Sequence, residues 1–262
     1  KSASDGVATI HVWEIDESGR HAFELPDEVG DGGHIALSPD GETLFLGGNW
    51  DGSKVSAYNV SNGEQLYDVT LPENGRGWRG SVHGVGTSPD GELLIAALGT
   101  GLAVWDAHSG EPHPSHPELR EWSEEIVGPV AFGDGLVATA TFESLLLWDV
   151  RSGDGPEEFR LPPEDIEANV RIREVSFGDD GSRVIATGSD TDREQGLLMV
   201  WDTEGEVLVE DRSERDYSSV SASPVDGRLL VAFRPLGHEG RQEFVFLDED
   251  LEATQEFQIP GL

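Results

Sequence analysis

Cysteine is absent from this chain, which excludes disulfides, thiolate zinc sites and cysteine nucleophiles. Lysine is almost absent as well, with Lys1 and Lys54 the two representatives among 17 basic residues. Against these stand 52 Asp and Glu, leaving a formal charge of −35. Such a field repels phosphates, so no nucleic-acid partner is expected. No stretch approaches the ~18 uninterrupted apolar residues of a membrane helix, and no signal-like apolar segment opens the sequence. No membrane partner is expected, and the lack of cysteine fits a cytoplasmic protein, which is the expectation. The acidity runs along the whole chain instead of forming a tail. That suits a halophilic protein whose self-repulsion is screened within a few ångströms, an unusually acidic protein of a high-GC bacterium being the alternative.

Helical periodicity is missing too. What is present is a repeat. A tight turn after a short apolar stretch recurs as SPDG at 38–41, SPDG at 88–91, GDG at 133–135, GDDG at 178–181 and SPVDG at 223–227. Its glycines step by 50, 44, 46 and 46 residues. A second anchor closes a later apolar stretch around Trp13, Tyr58, Trp105, Trp148, Trp201 and Leu247, stepping by 45, 47, 43, 53 and 46. Between anchors lie short apolar or β-branched runs bounded by Gly, Asp, Asn and Pro, which are strand signals. Asp-Gly and Asn-Gly supply the positive φ that tight hairpins need. The pattern predicts an all-β chain with four antiparallel strands per unit.

These units resemble the WD-repeat family in their SPDG turns and in the Trp-Asp near the end of the third strand, at Trp105, Trp148 and Trp201. The resemblance covers nearly the whole chain, as five full units preceded by half of one. It implies a single β-propeller domain over 1–262, with a partial blade at 1–30 and full blades at 31–75, 76–120, 121–165, 166–212 and 213–262. The partial first unit further suggests a fragment of a longer protein with six or seven blades. One departure concerns the family's Gly-His dipeptide, which joins a His–Asp–Ser/Thr–Trp network. Gly33-His34 lies too close to its SPDG, and the other units lack the pair, so the network should be missing from most blades. A quinone-type propeller repeat with a D-x-x-(T/S)-G turn is the nearest rival.

Trp13, Trp105, Trp148 and Trp201 occupy matched positions and should pack between blades. Trp50, Trp78 and Trp122 break the repeat. Their loops join second to third strands or one blade to the next, two classes that open on one face of a propeller. Arg76, Arg79, Arg171, Arg173, Arg193, Arg215, Arg234 and Arg241 map to that face, where scarce guanidinium groups can receive an anion or pair with nearby carboxylates. Trp50, Trp78, Arg79, Trp122, Arg173 and Arg241 are accordingly the candidate partner-binding set. His108, His113 and His116 are spaced by five and three but interleaved with proline, which points to an exposed outer strand. Ser81 and His83 lack the elbow and oxyanion loop of a serine hydrolase. The glycines punctuate turns and form no phosphate loop.

The expected function is a non-catalytic propeller scaffold that binds protein partners through loops, without enzyme activity, cofactor or metal. One alternative is a propeller hydrolase or lactonase with a metal in a central channel. The first-strand positions it would use, His34, His83, Pro129, Arg173 and Ser219, are too mixed for a metal cage. Another is the sensor domain of a larger regulatory protein.

Overall fold

The computed structural model describes residues 11–13, 21–24, 34–48, 54–71, 82–99, 101–113, 120–121, 126, 128–133, 135–141, 143–150, 154–161, 170–178, 181–190, 192–222, 228–235, 243–248 and 252–258. Among them every regular element is a strand and no helix occurs. The chain divides into two compact units, Lys1–Ser123 and Glu124–Leu262.

The first unit begins with an antiparallel pair, β1 (His11–Trp13) and β2 (His21–Glu24). A four-stranded sheet follows, built from β3 (His34–Leu37), β4 (Thr43–Gly48), β5 (Lys54–Asn59) and β6 (Gln65–Thr70). The next holds β7 (Val82–Thr87), β8 (Leu93–Leu98), β9 (Gly101–Asp106) and β10 (Arg120–Glu121). In the second unit the sheets are β11 (Ala131–Phe132), β12 (Leu136–Ala140), β13 (Ser144–Asp149) and β14 (Glu157–Arg160), then β15 (Val170–Phe177), β16 (Arg183–Asp190), β17 (Gln195–Asp202) and β18 (Val207–Ser213). The last is β19 (Arg215–Ala222), β20 (Leu229–Pro235), β21 (Glu243–Leu247) and β22 (Ala253–Gln258). Each strand pairs with its neighbour in the chain, so every four-stranded sheet is an antiparallel meander. Among the described residues, five four-stranded sheets follow a two-stranded pair, in line with the unit count read from the repeat.

The repeated polar residues build the turns. Ser38 Oγ donates to Asp40 Oδ1 at 2.6 Å and accepts from the Thr43 amide at 2.8 Å, while Asp40 Oδ1 accepts from the Glu42 amide at 2.9 Å. Ser88, Asp90, Glu92 and Leu93 repeat the pattern one sheet later. The Asp of the Trp-Asp pair does the same at the other hairpin. Asp106 Oδ1 accepts from the His108 and Ser109 amides, and Asp202 Oδ1 from those of Glu204 and Glu206. Side-chain acceptors of this kind fix a turn by satisfying its own amides.

Facing sheets share apolar seams. In the first unit Phe45, Val55, Ala57 and Val69 meet Val82, Leu94, Ala96 and Trp105. In the second, Trp201 and Met199 pack with Leu145, Leu147 and Phe159, and Ile185, Leu198 and Val200 with Tyr217, Val231 and Phe233. Trp105 and Trp201 thus fill gaps between successive sheets, and Trp148 is fully buried, as their matched positions predict. Trp13 lies in β1.

Turn glycines complete these seams. Gly110 (φ 72°) follows Trp105-Asp106, and a Cβ on it would meet the Tyr67 ring of β6 at 2.6 Å. Gly205 (φ 89°) follows Trp201-Asp202, and its Cβ would meet the Phe159 ring of β14 at 2.8 Å. In both, the hairpin after the third strand sits on an aromatic from the fourth strand of the preceding sheet. Only glycine fits both the backbone and the space.

Candidate functional site

First strands carry the chemistry that varies between sheets. In β7 the pairing skips from Val82↔Leu98 to Gly84↔Ala97, leaving His83 as an extra residue. β15 skips from Ile172↔Gly188 to Glu174↔Thr187 around Arg173, and β19 from Tyr217↔Phe233 to Ser219↔Ala232 around Ser218. Such bulges bend a strand and re-aim a side chain, and they concentrate near functional sites. The bulge in the last sheet falls at Ser218, and Ser219, the first-strand position read from the repeat, is the next residue and pairs with Ala232. β3 has no such skip and begins at His34, paired with Gly47.

The two units use the row differently. In the first, burial and the neighbouring His83 hold the His34 imidazole below its usual pKa, so it is neutral at pH 7. In the second, Arg173 Nη1 donates to Asp216 Oδ1 at 2.8 Å, with the guanidinium side chain 41% exposed. Arg193 binds Asp190 at 2.9 Å across the β16–β17 hairpin, and Arg215 binds Glu256 at 2.9 Å while lying over the Phe233 ring. These three arginines are engaged with local carboxylates, and a partner's anion would compete for them. Trp50, Trp78, Arg79, Trp122 and Arg241 lie outside the described residues, as do Arg76, Ser81 and His116. His108 sits exposed in the β9–β10 turn, and among the described residues no three His, Asp or Glu come together as metal ligands.

A polar line runs through the second unit's last seam. Glu174 lies directly opposite Thr187 across the β15–β16 pair, and burial pushes its carboxyl up to about 7. Thr187 Oγ1 and Ser189 Oγ are buried without a hydrogen-bond partner. Beside them Tyr217 donates to Asp211 Oδ2 at 2.6 Å and accepts from Ser213 Oγ at 3.0 Å. Burial, first, and the Asp211 carboxylate push this phenol up to about 12, so it remains protonated. Nothing in the repeat pattern singles out Glu174, because fifty-two acidic residues mask one that is half-buried.

The first unit also holds a groove of about 560 Å³. Its wall runs along the Ser38–Pro39–Asp40 turn, the Asp90–Gly91 turn and the Ala107–His108 turn, with Phe45, Leu66 and Tyr67 beneath. The Tyr67 hydroxyl donates to the Ala107 carbonyl and ties the two sheets together at the floor.

No protein-family model matches the sequence, and no curated protein matches it either. Solved structures do. Hydrazine synthase from Kuenenia stuttgartiensis is similar over 90% of this chain and 68% of its own, with a TM-score of 0.67 and 14% identity. The β-propeller domain of Myceliophteria thermophila Cps50 (Swd1) is similar over 97% of this chain and 75% of its own, at TM-score 0.66 and 12% identity. The fold is a β-propeller fold of four-stranded antiparallel blades, and among the described residues no helix is long and apolar enough to cross a membrane.

Proposed function

We propose that this propeller is a non-catalytic scaffold for protein–protein interaction, with Trp50, Trp78, Arg79, Trp122, Arg173 and Arg241 forming the partner-binding set. One observation carries the reading. Positions that repeat from blade to blade, such as Ser38 and Ser88, Asp40 and Asp90, or Asp106 and Asp202, are consumed in building turns. Positions that differ, the His34, His83, Arg173 and Ser218 row, lie at strand starts or bulges. A frame made constant by its own hydrogen bonds, carrying side chains of mixed character, suits recognition of an extended partner surface. Off-repeat tryptophans supply the large apolar anchors that dominate such interfaces, and arginines flank them. The protein is cytoplasmic and adapted to high salt in this reading, and it needs no cofactor.

The test is a quantitative pull-down from the source cell with the unaltered protein and with the triple variant Trp50→Ala, Trp78→Ala, Trp122→Ala. A specific partner should be retained by the first and lost by the second, with melting temperatures within about 2 °C of each other. Equal retention by both would remove this face from the account.

A further inference from the structure

The groove of the first unit belongs to other turns than those carrying the off-repeat tryptophans, and its chemistry is of one kind. Asp40, Glu42 and Asp90 line it, and among its lining residues none is Lys or Arg. The Asp40 and Asp90 turns lie against each other, since a Cβ on Gly91 would stand 3.7 Å from Pro39 Cδ. Two hydrogen bonds to the Asp40 side chain, from Ser38 Oγ and the Glu42 amide, both end on Oδ1, and a ligand's cation would meet Oδ2. Those same bonds hold the Asp40 carboxyl below its ordinary pKa, so it stays ionised. Beside this acidic rim Leu66 is 48% exposed, an apolar side chain on the outer strand β6 with no seam to fill. Beneath it the Tyr67 ring is pinned by its bond to Ala107 and by contact with Gly110, giving a rigid floor.

We propose that this groove docks an extended basic peptide segment of a partner protein, seating an Arg or Lys between the Asp40 and Asp90 turns and an adjacent apolar side chain on Leu66. The cation meets two turns whose carboxylates are already oriented by their own hydrogen bonds, so little ordering accompanies binding. A cavity of about 560 Å³ lies in the size range of preformed ligand sites and accommodates a few side chains. A free inorganic cation would use the carboxylates and leave Leu66 idle. An acidic peptide would be repelled by the whole rim.

A fluorescein-labelled, amidated peptide SRLRS, titrated at 0.15 M and 1 M NaCl, reads the site. Asp40→Asn combined with Asp90→Asn keeps the turn-building acceptor and removes the charge. Leu66→Ser removes the apolar contact at an exposed position. Glu206→Gln combined with Glu252→Gln changes the net charge equally on the second unit. The groove predicts saturable binding that weakens about fivefold or more in the Asp pair and in Leu66→Ser, and changes less than about twofold in the remote pair. The peptide SRGRS should bind the unaltered protein more weakly than SRLRS at both salt concentrations. Three results would overturn the proposal: no saturable binding, equal losses in the groove and remote pairs, or identical affinities for SRLRS and SRGRS. The two-peptide comparison on unaltered protein decides the matter even where a variant folds poorly, and none of these outcomes bears on the tryptophan face.

Discussion

Trp148 Nε1 donates to Thr139 Oγ1 at 3.1 Å, with both side chains buried. Trp148 pairs with Val137 across β12 and β13, which puts Thr139 two residues along on the same face. In the neighbouring patterns Trp105 pairs with Leu94 and Trp201 with Val184, so the matched positions are Ala96 and Ala186. Alanine has no hydroxyl to accept. One blade therefore keeps a Thr–Trp contact that the sequences of the others do not permit. Thr139→Val should destabilise the fold by about 1–3 kcal/mol, because it strands a buried indole N–H at nearly constant volume. Urea denaturation followed by tryptophan fluorescence measures this, and an unchanged midpoint would mean the bond contributes nothing.

Three glycine substitutions separate backbone strain from packing. Gly41 has φ 75° and open space around its missing Cβ, so Gly41→Ala should cost about 1 kcal/mol from the backbone alone. Gly205→Ala adds a Cβ 2.8 Å from the Phe159 ring, and Gly110→Ala one 2.6 Å from the Tyr67 ring. Both should exceed the Gly41→Ala loss by about 1–3 kcal/mol. Equal losses at all three sites, read from denaturation midpoints, would show that the seams yield freely.

Glu174 makes stability depend on pH. Its folded pKa of about 7 lies above the usual 4.5, so between those values the folded state holds more protons than the unfolded state. Stability from this group therefore falls as pH rises from about 4.5 to 7 and is flat above. Glu174→Gln should remove that decline and raise stability at pH 8 by about 1–2 kcal/mol, allowing for its partial exposure. Melting curves from pH 5 to 8 check the sign, and a stabilising effect confined to low pH would contradict it.

Much of this fold was legible in the sequence because turn chemistry is local. SPDG and Trp-Asp mark hairpins through bonds to amides two to five residues away, and positive-φ glycines close them at Gly41, Gly91, Gly110 and Gly205. The bulges at His83, Arg173 and Ser218 were not legible, since an extra residue in a strand leaves the apolar pattern almost unchanged. The groove escaped notice because Asp40 and Asp90 already had a structural role, and only folding brings two successive turns together. A signal was nonetheless present: two acidic turns one repeat apart, and on the fourth strand an apolar Leu66 out of phase with the buried Val69.

Charge supplies a further expectation. Seventeen basic residues cannot neutralise fifty-two acidic ones, so like-charge repulsion opposes the compact state at low ionic strength. The melting temperature should rise between 0.1 and 2 M KCl as that repulsion is screened. A flat or falling trend would detach the acidity from adaptation to salt.

The scaffold reading is tested most directly by hydrogen exchange on the protein alone and bound to its captured partner. The account predicts new protection in the peptides containing Trp50, Trp78 and Trp122, with the strand amides of the seams unchanged. Protection confined to other parts of the chain, with those three peptides exchanging as before, would contradict it.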